Sequence, residues 1–239
     1  MYCFDRKLRS LIFSEIEKIE IAVRAKMIYI LAHEIEPFWH VNKNNFKDVK
    51  TFSKSIGTFK TELYRSDADS IRNFQLKYSN PFPPSWIMLE ECSFGTVSVL
   101  YSNLKPTKAK KKIAIHFGLN VSQFESWIHT LVYVRNVCAH HSRLWNKMLT
   151  ISPQIPKTAK PTGKTYKFPS LDWIETTGLK NHRLYFVISI VAYFLQSINP
   201  NTSFKSKLLD LFKVIPTVDL DAMSFPKDWE GQPLWKSLN

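Results

Sequence analysis

Seven consecutive residues, Arg135-Asn136-Val137-Cys138-Ala139-His140-His141, gather a guanidinium, an amide, a thiol and two imidazoles. Imidazole titrates near neutrality and can take or give a proton. The guanidinium presents a fixed fork of donors suited to phosphate oxygens, and the Asn136 amide can orient a neighbour or hold a phosphate oxygen. Together these groups suit phosphodiester cleavage by proton transfer and charge stabilisation, without calling on a metal. RNA carries its own nucleophile in the 2′-hydroxyl and DNA does not, so the inventory matches RNA.

These residues need an element to position them. Read as one helix from Val121 to Leu149, turning about 100° per residue, the segment sorts into two sides. Phe124, Ile128, Leu131, Cys138 and Leu149, with Trp127, Val134 and Trp145 beside them, form a core side. His129, Tyr133, Asn136, His140, Arg143 and Lys147 fall within roughly 80° of arc, a face without a carboxylate. Ser122-Gln123-Phe124-Glu125 has the form of a capping box and should begin the helix. Arg135 projects roughly 140° from His140, toward the core side. Three arrangements stay open: a distorted helix, an arginine that reaches around, or a pair working across a subunit interface. A buried arginine needs a carboxylate partner, and Glu20 and Glu90 are the candidates. His141 projects roughly 100° from His140, so a second imidazole is better supplied by a two-fold axis that brings two copies of His140 and Arg135 together. The residues alone also allow a blander reading, a basic amphipathic core helix with incidental histidines.

Composition bounds the partner. Lys and Arg number 33 against 20 Asp and Glu, a formal charge of +13, which favours a polyanion and above all nucleic acid. A 44% hydrophobic content marks a folded chain, and only 6 glycines argue against a loop-rich β-protein. Cys3, Cys92 and Cys138 have no metal-ligand spacing and cannot all pair, which suits a reducing compartment. His33 and His40 lack a matching ligand set, so no metal site and no cofactor are expected. The early charges Asp5, Arg6, Lys7 and Arg9 do not make a secretory signal, and the apolar run Tyr185 to Leu195 is too short to span a bilayer. A cytoplasmic protein without a membrane partner is expected.

The chain around the motif reads as helices. Apolar residues recur at helical spacing from Asp5 to about Glu36, ahead of Pro37. Residues 44–78 read as two shorter helices, with Gly57 and Ser66-Asp67-Ala68-Asp69 as breaks. One helix is expected from Ser85 to about Leu104, a short one from Lys108 to near Gly118, and two more at 181–198 and 203–214. Residues 150–175, rich in proline and lysine, read as an exposed loop. Residues 216–239 read as an extended tail pinned by Trp229 and Trp235. Trp39, Trp86, Trp127, Trp145 and Trp173 read as core. The expectation is an all-α bundle, a single domain over 1–239. Lys105, Lys108, Lys110, Lys111 and Lys112 form a candidate RNA-backbone track, with Arg143 and Lys147 nearer the motif. Lys157, Lys160, Lys164 and Lys167 could clamp RNA from the loop.

Several blocks in order carry a resemblance: Asp5-Arg6-Lys7-Leu8-Arg9, Ile19-Glu20 with Arg24, Trp86 with Glu90, Ser93-Phe94-Gly95, the run Arg135 to Asn146, and Met223-Ser224-Phe225-Pro226-Lys227-Asp228-Trp229. Together they resemble the bacterial abortive-infection (Abi) family of the AbiD/AbiF kind, which is grouped with the HEPN superfamily. The resemblance implies a helical, commonly dimeric bundle and a metal-independent ribonuclease using Arg-x4–6-His. Arg135 and His140 would then be the catalytic pair, with Asn136 the polar residue after the arginine and His141 a lesser candidate. It also implies a further N-terminal segment that this sequence lacks. Such a protein would serve phage defence or a toxin–antitoxin pair, with RNA, a second copy and an RNA or protein antitoxin as partners. The alternatives are a non-catalytic RNA-binding protein acting through its basic surface, and a protein–protein interaction module.

Overall fold

The computed structural model describes residues 1–156, 169–170, 172–214 and 218–238. It is all-α. The helices are α1 (Tyr2–Glu34), α2 (Val49–Arg65), α3 (Asp69–Lys77), α4 (Ser85–Met88), α5 (Phe94–Asn103), α6 (Lys108–His116), α7 (Val121–Ala139), α8 (Leu184–Ile198), α9 (Phe204–Val214) and α10 (Pro233–Lys236). Among the described residues there is no sheet, and one isolated antiparallel bridge joins Phe46 and Leu104. No described helix is long and apolar enough to cross a membrane. The chain divides into two compact units, residues 1–20 with 115–239, and residues 21–114.

The first unit holds the motif. Phe4, Leu8, Ile12, Ile16 and Ile19 recur at three- and four-residue steps along α1 and are fully buried. Helix α8 is buried around its whole circumference from Leu184 to Leu195, as expected of an apolar helix at the centre of a bundle. Trp127 of α7 stacks on Trp173 at 5.0 Å and meets Tyr193 of α8 edge-on at 5.5 Å. The buried Glu15 carboxylate accepts from Lys18 at 2.7 Å and from Lys207 of α9 at 3.0 Å, tying α9 to α1. Gly118 ends the turn after α6 with φ +66°, where a Cβ would meet Ser170 Oγ at 2.1 Å, so glycine is required.

In the second unit α2 packs on α5. Asn103 closes the pairing by accepting from Asp48 N–H and donating to the Asp48 carbonyl, both at 2.9 Å. His40 lies fully buried beside Trp39 and Phe59, and loss of solvation lowers its pKa to about 4, so it is neutral at pH 7.

Local chemistry overrides several sequence expectations. The helix expected over Ser85–Leu104 is split, because the Ser93 hydroxyl accepts from Thr96 N–H and caps a new start. Gly57 does not break α2, whose Asp48 cap and apolar face carry it through. Helix α7 is capped by Asn120, which accepts from Gln123 N–H, while Ser122 instead donates to Gln154. The tail is not extended: residues 221–236 form successive tight turns around buried Trp229 and Trp235, whose rings meet edge-on at 4.9 Å. Trp86 is 45% exposed and is not core. Most of the loop expected at 150–175, with Lys157, Lys160, Lys164 and Lys167, lies outside the described residues.

Candidate functional site

Helix α7 ends inside the motif, ten residues before the expected Leu149. His140 is its C-cap and still donates to Asn136 O at 3.0 Å. His141 then adopts φ +54° in the left-handed region. Its N–H donates to Cys138 O and that of Ser142 to Val137 O, which together make a Schellman turn. Glycine normally holds this position, and a non-glycine residue there costs about 1–3 kcal/mol unless its surroundings enforce the conformation.

The enforcing groups come from α1 and from the residues just ahead of α8. Asp5 Oδ1 accepts from Leu144 N–H at 3.0 Å and from Trp145 N–H at 2.6 Å, while its other oxygen pairs with Arg9. Asp5 and Arg9 are both buried, so this pair stands in a poorly solvated place and fixes the turn from beneath. Arg183, just ahead of α8, donates to Asn146 Oδ1 at 3.0 Å, and Leu149 N–H donates to His182 O. The turn after α7 is thus held at 144, 145, 146 and 149.

Arg135 is half-buried and reaches toward α1, where its guanidinium lies 5.5 Å from the centre of the Phe13 ring. It also meets Asn136 Oδ1 at 3.5 Å. Of the two carboxylates expected near Arg135, Glu20 is buried on α1 and Glu90 is exposed after α4. Asn136, His140 and His141 are exposed. Cys138 is buried, and loss of solvation pushes its thiol up to about 12, which removes it as a thiolate nucleophile.

Two concave surfaces open at this end of α7. One, of about 370 Å³, is lined by Arg6, Arg9, Ser10, Phe13, Cys138, Ala139 and His141. The other, of about 340 Å³, is lined by Met1, Tyr2, Asp5, Arg9, His141, Arg143 and Trp145. His141 lies in both and His140 in neither. An ideal-helix projection cannot place a residue that follows a left-handed turn. Lys147 leaves the expected polar face for the same reason: it sits in the turn region, half-buried.

The lysine run divides. Lys110 is buried, with its Nζ donating to Ser102 O at 3.1 Å and Leu104 O at 2.9 Å, so it satisfies the carboxyl end of α5 and is not available to RNA. Lys112 pairs with Glu34, while Lys108 and Lys111 are exposed.

The family model described as Abi-like protein matches residues 1–146. The chain belongs to the Abi-like protein family. The matched span of this Abi-like protein runs from α1 through α7 and closes just after the Asp5-held turn, so it contains both walls of the two clefts. No curated protein and no solved structure matches the chain. Sequence reasoning on the motif missed Tyr2, Arg6, Arg9, Ser10 and Phe13 as the residues of α1 that line these clefts of the Abi-like protein. Their spacing with Asp5, at positions 2, 5, 6, 9, 10 and 13, is one stripe of a helix and was the available signal.

Proposed function

We propose that this Abi-like protein is a metal-independent endoribonuclease of the AbiD/AbiF kind within the HEPN superfamily, acting in anti-phage abortive infection or as the toxin of a toxin–antitoxin pair. The observation that carries the reading is the end of α7. Two exposed imidazoles stand on a turn that backbone and buried-ion contacts hold in place, with Arg135 fixed by Phe13 and the arginines of α1 alongside. Imidazole, guanidinium and amide are the groups that transesterification of RNA needs.

In the proposed reaction the 2′-oxygen attacks the adjacent phosphorus while an imidazole takes the 2′-hydroxyl proton. The bond from phosphorus to the 5′-oxygen breaks, and an imidazolium gives that oxygen a proton. The products are a 2′,3′-cyclic phosphate and a 5′-hydroxyl. His140 serves as base or acid, Arg135 stabilises the charge on the pentavalent phosphorus, and Asn136 orients Arg135, with which it is in contact. His141 is the natural partner imidazole within one chain. A two-fold dimer across the exposed face of His129, Asn136 and His140 is the other way to supply it.

The test is incubation of purified wild-type and His140→Ala protein with total RNA in EDTA. Cleavage by the wild type alone, leaving cyclic phosphate ends, is expected. Activity that needs magnesium overturns the mechanism. A salt-sensitive RNA complex with no cleavage points instead to RNA binding through the arginine-lined clefts.

A further inference from the structure

The two clefts at the end of α7 are built alike. Arg9 and His141 line both, so these two side chains form the partition between them. On one side stand Arg6 and the aromatic ring of Phe13; on the other stand Arg143 with Tyr2 and Trp145. Each cleft therefore offers one further guanidinium and at least one aromatic surface, and each is at the lower end of the size range of a small-molecule pocket.

We propose that the clefts are consecutive nucleoside subsites flanking a single phosphate held at the Arg9–His141 partition, so that the protein binds a dinucleotide step with its two bases splayed apart. The proposal deepens, and rests on, the reading of this end of α7 as the place where RNA is held. Three observations carry it.

The first is charge at the partition. Arg9 is 6% exposed and Asp5 takes one of the five donors of its guanidinium. The Arg9 side chain also borders both clefts. Arg6, Arg9 and Arg143 against Asp5 leave an excess of positive charge that a phosphodiester backbone complements.

The second is the placement of the aromatic groups. Tyr2 is 74% exposed, lines one of the clefts, and lies one helical turn from the Asp5 that anchors the site. A base stacks on such a face with little regard to its identity. The third is the division itself. Bases in a duplex stack on each other and cannot enter two clefts separated by side chains, whereas those of an unpaired strand can.

The experiment is a binding titration of the full chain with a fluorescent 2′-methoxy RNA, which cannot be cleaved by 2′-oxygen attack, offered as a single strand and as a duplex of the same sequence. The single strand should bind at least tenfold more tightly. Tyr2→Leu should weaken it by roughly tenfold and Tyr2→Phe should restore it, because the ring face is what matters. Arg6→Ala and Arg143→Ala should each weaken binding and flatten its salt dependence. Equal binding of the duplex, or wild-type affinity in Tyr2→Leu, overturns the subsites. Parallel cleavage of unmodified RNA separates this from the activity. If His140→Ala abolishes cleavage while Tyr2→Leu binds normally, the subsites fail alone. If binding follows the expected pattern and His140→Ala still cleaves, the catalytic assignment fails alone. No binding of either RNA overturns both.

Discussion

The excess positive charge is deployed in two ways. On α6 the lysines are neighbours in sequence, yet Lys110 is buried against the end of α5 and Lys112 is paired with Glu34, leaving Lys108 and Lys111 exposed. Around the end of α7 the cations are scattered at positions 6, 9, 135 and 143, yet Arg6, Arg9 and Arg143 line adjoining clefts, and Arg135 rests on the Phe13 that lines one of them. A run of like charges in a helix spreads around its circumference, so some members face inward and become structural. Residues spaced along a helical stripe share a face, and that is how Arg6 and Arg9 come to share one cleft. Clustering in space, not in sequence, makes an anion site.

The contrast can be broken most directly by activity. His140→Ala and Arg135→Ala should each lower RNA cleavage by about 10²–10⁴-fold, the range for a proton-transfer group or a charge-stabilising donor. The double variant Lys108→Ala/Lys111→Ala should stay within about fivefold, since exposed phosphate contacts act mainly on binding. An equal loss in the two experiments, measured as initial rates in EDTA, would erase the distinction.

Stability should separate the two regions next. Asp5→Ala leaves Arg9 buried without its partner and frees two backbone donors, an expected loss of about 3–5 kcal/mol in urea unfolding. Asp5→Asn keeps an acceptor for Leu144 and Trp145 and should lose less. A Lys110→Met change should cost about 1–3 kcal/mol, for two carbonyls lose their donor, while Lys111→Met should lie within about 0.5 kcal/mol of wild type. If Lys111 matters as much as Lys110, the division of the lysine run is wrong.

The histidines sharpen the same comparison. His40 is buried and neutral, with a folded-state pKa of about 4 against an ordinary 6.5. Between those values the unfolded chain binds a proton that the folded chain refuses, so stability should fall as pH drops from about 6.5 to about 4 and level off below. The expected loss is about 3 kcal/mol. His40→Phe, filling the same aromatic pocket, should flatten that part of the pH–stability curve, and an unchanged curve counts against the burial argument. A smaller effect is expected at position 141. His141→Gly should raise stability by about 1 kcal/mol while weakening RNA binding, whereas His141→Ala should raise neither.

The helices were legible because their apolar periodicity is strong: α1, α3, α6, α8 and α9 lie where spacing and breakers place them, while α2 runs on through Gly57. The motif was legible as a set of residue types. Its geometry was not, because nothing in Ala139-His140-His141-Ser142 announces a helix end; there is no glycine and no proline. The stop comes from Asp5, some 140 positions away, whose carboxylate draws the Leu144 and Trp145 amides out of helical register. The Ser85–Leu104 break was similarly hidden, since Ser93 looks like any serine in a helix until it caps.

The left-handed turn at His141 also makes that position a test for relatives of this chain. Backbone energetics alone would favour glycine or asparagine at that position, so the imidazole of this chain sits there against a local preference. A relative that had lost its need for the site would be free to drift to glycine at 141 while keeping Asp5, Arg9 and the rest of the scaffold. One that still uses the site should resist that drift, because the exchange gains stability only by giving up the imidazole.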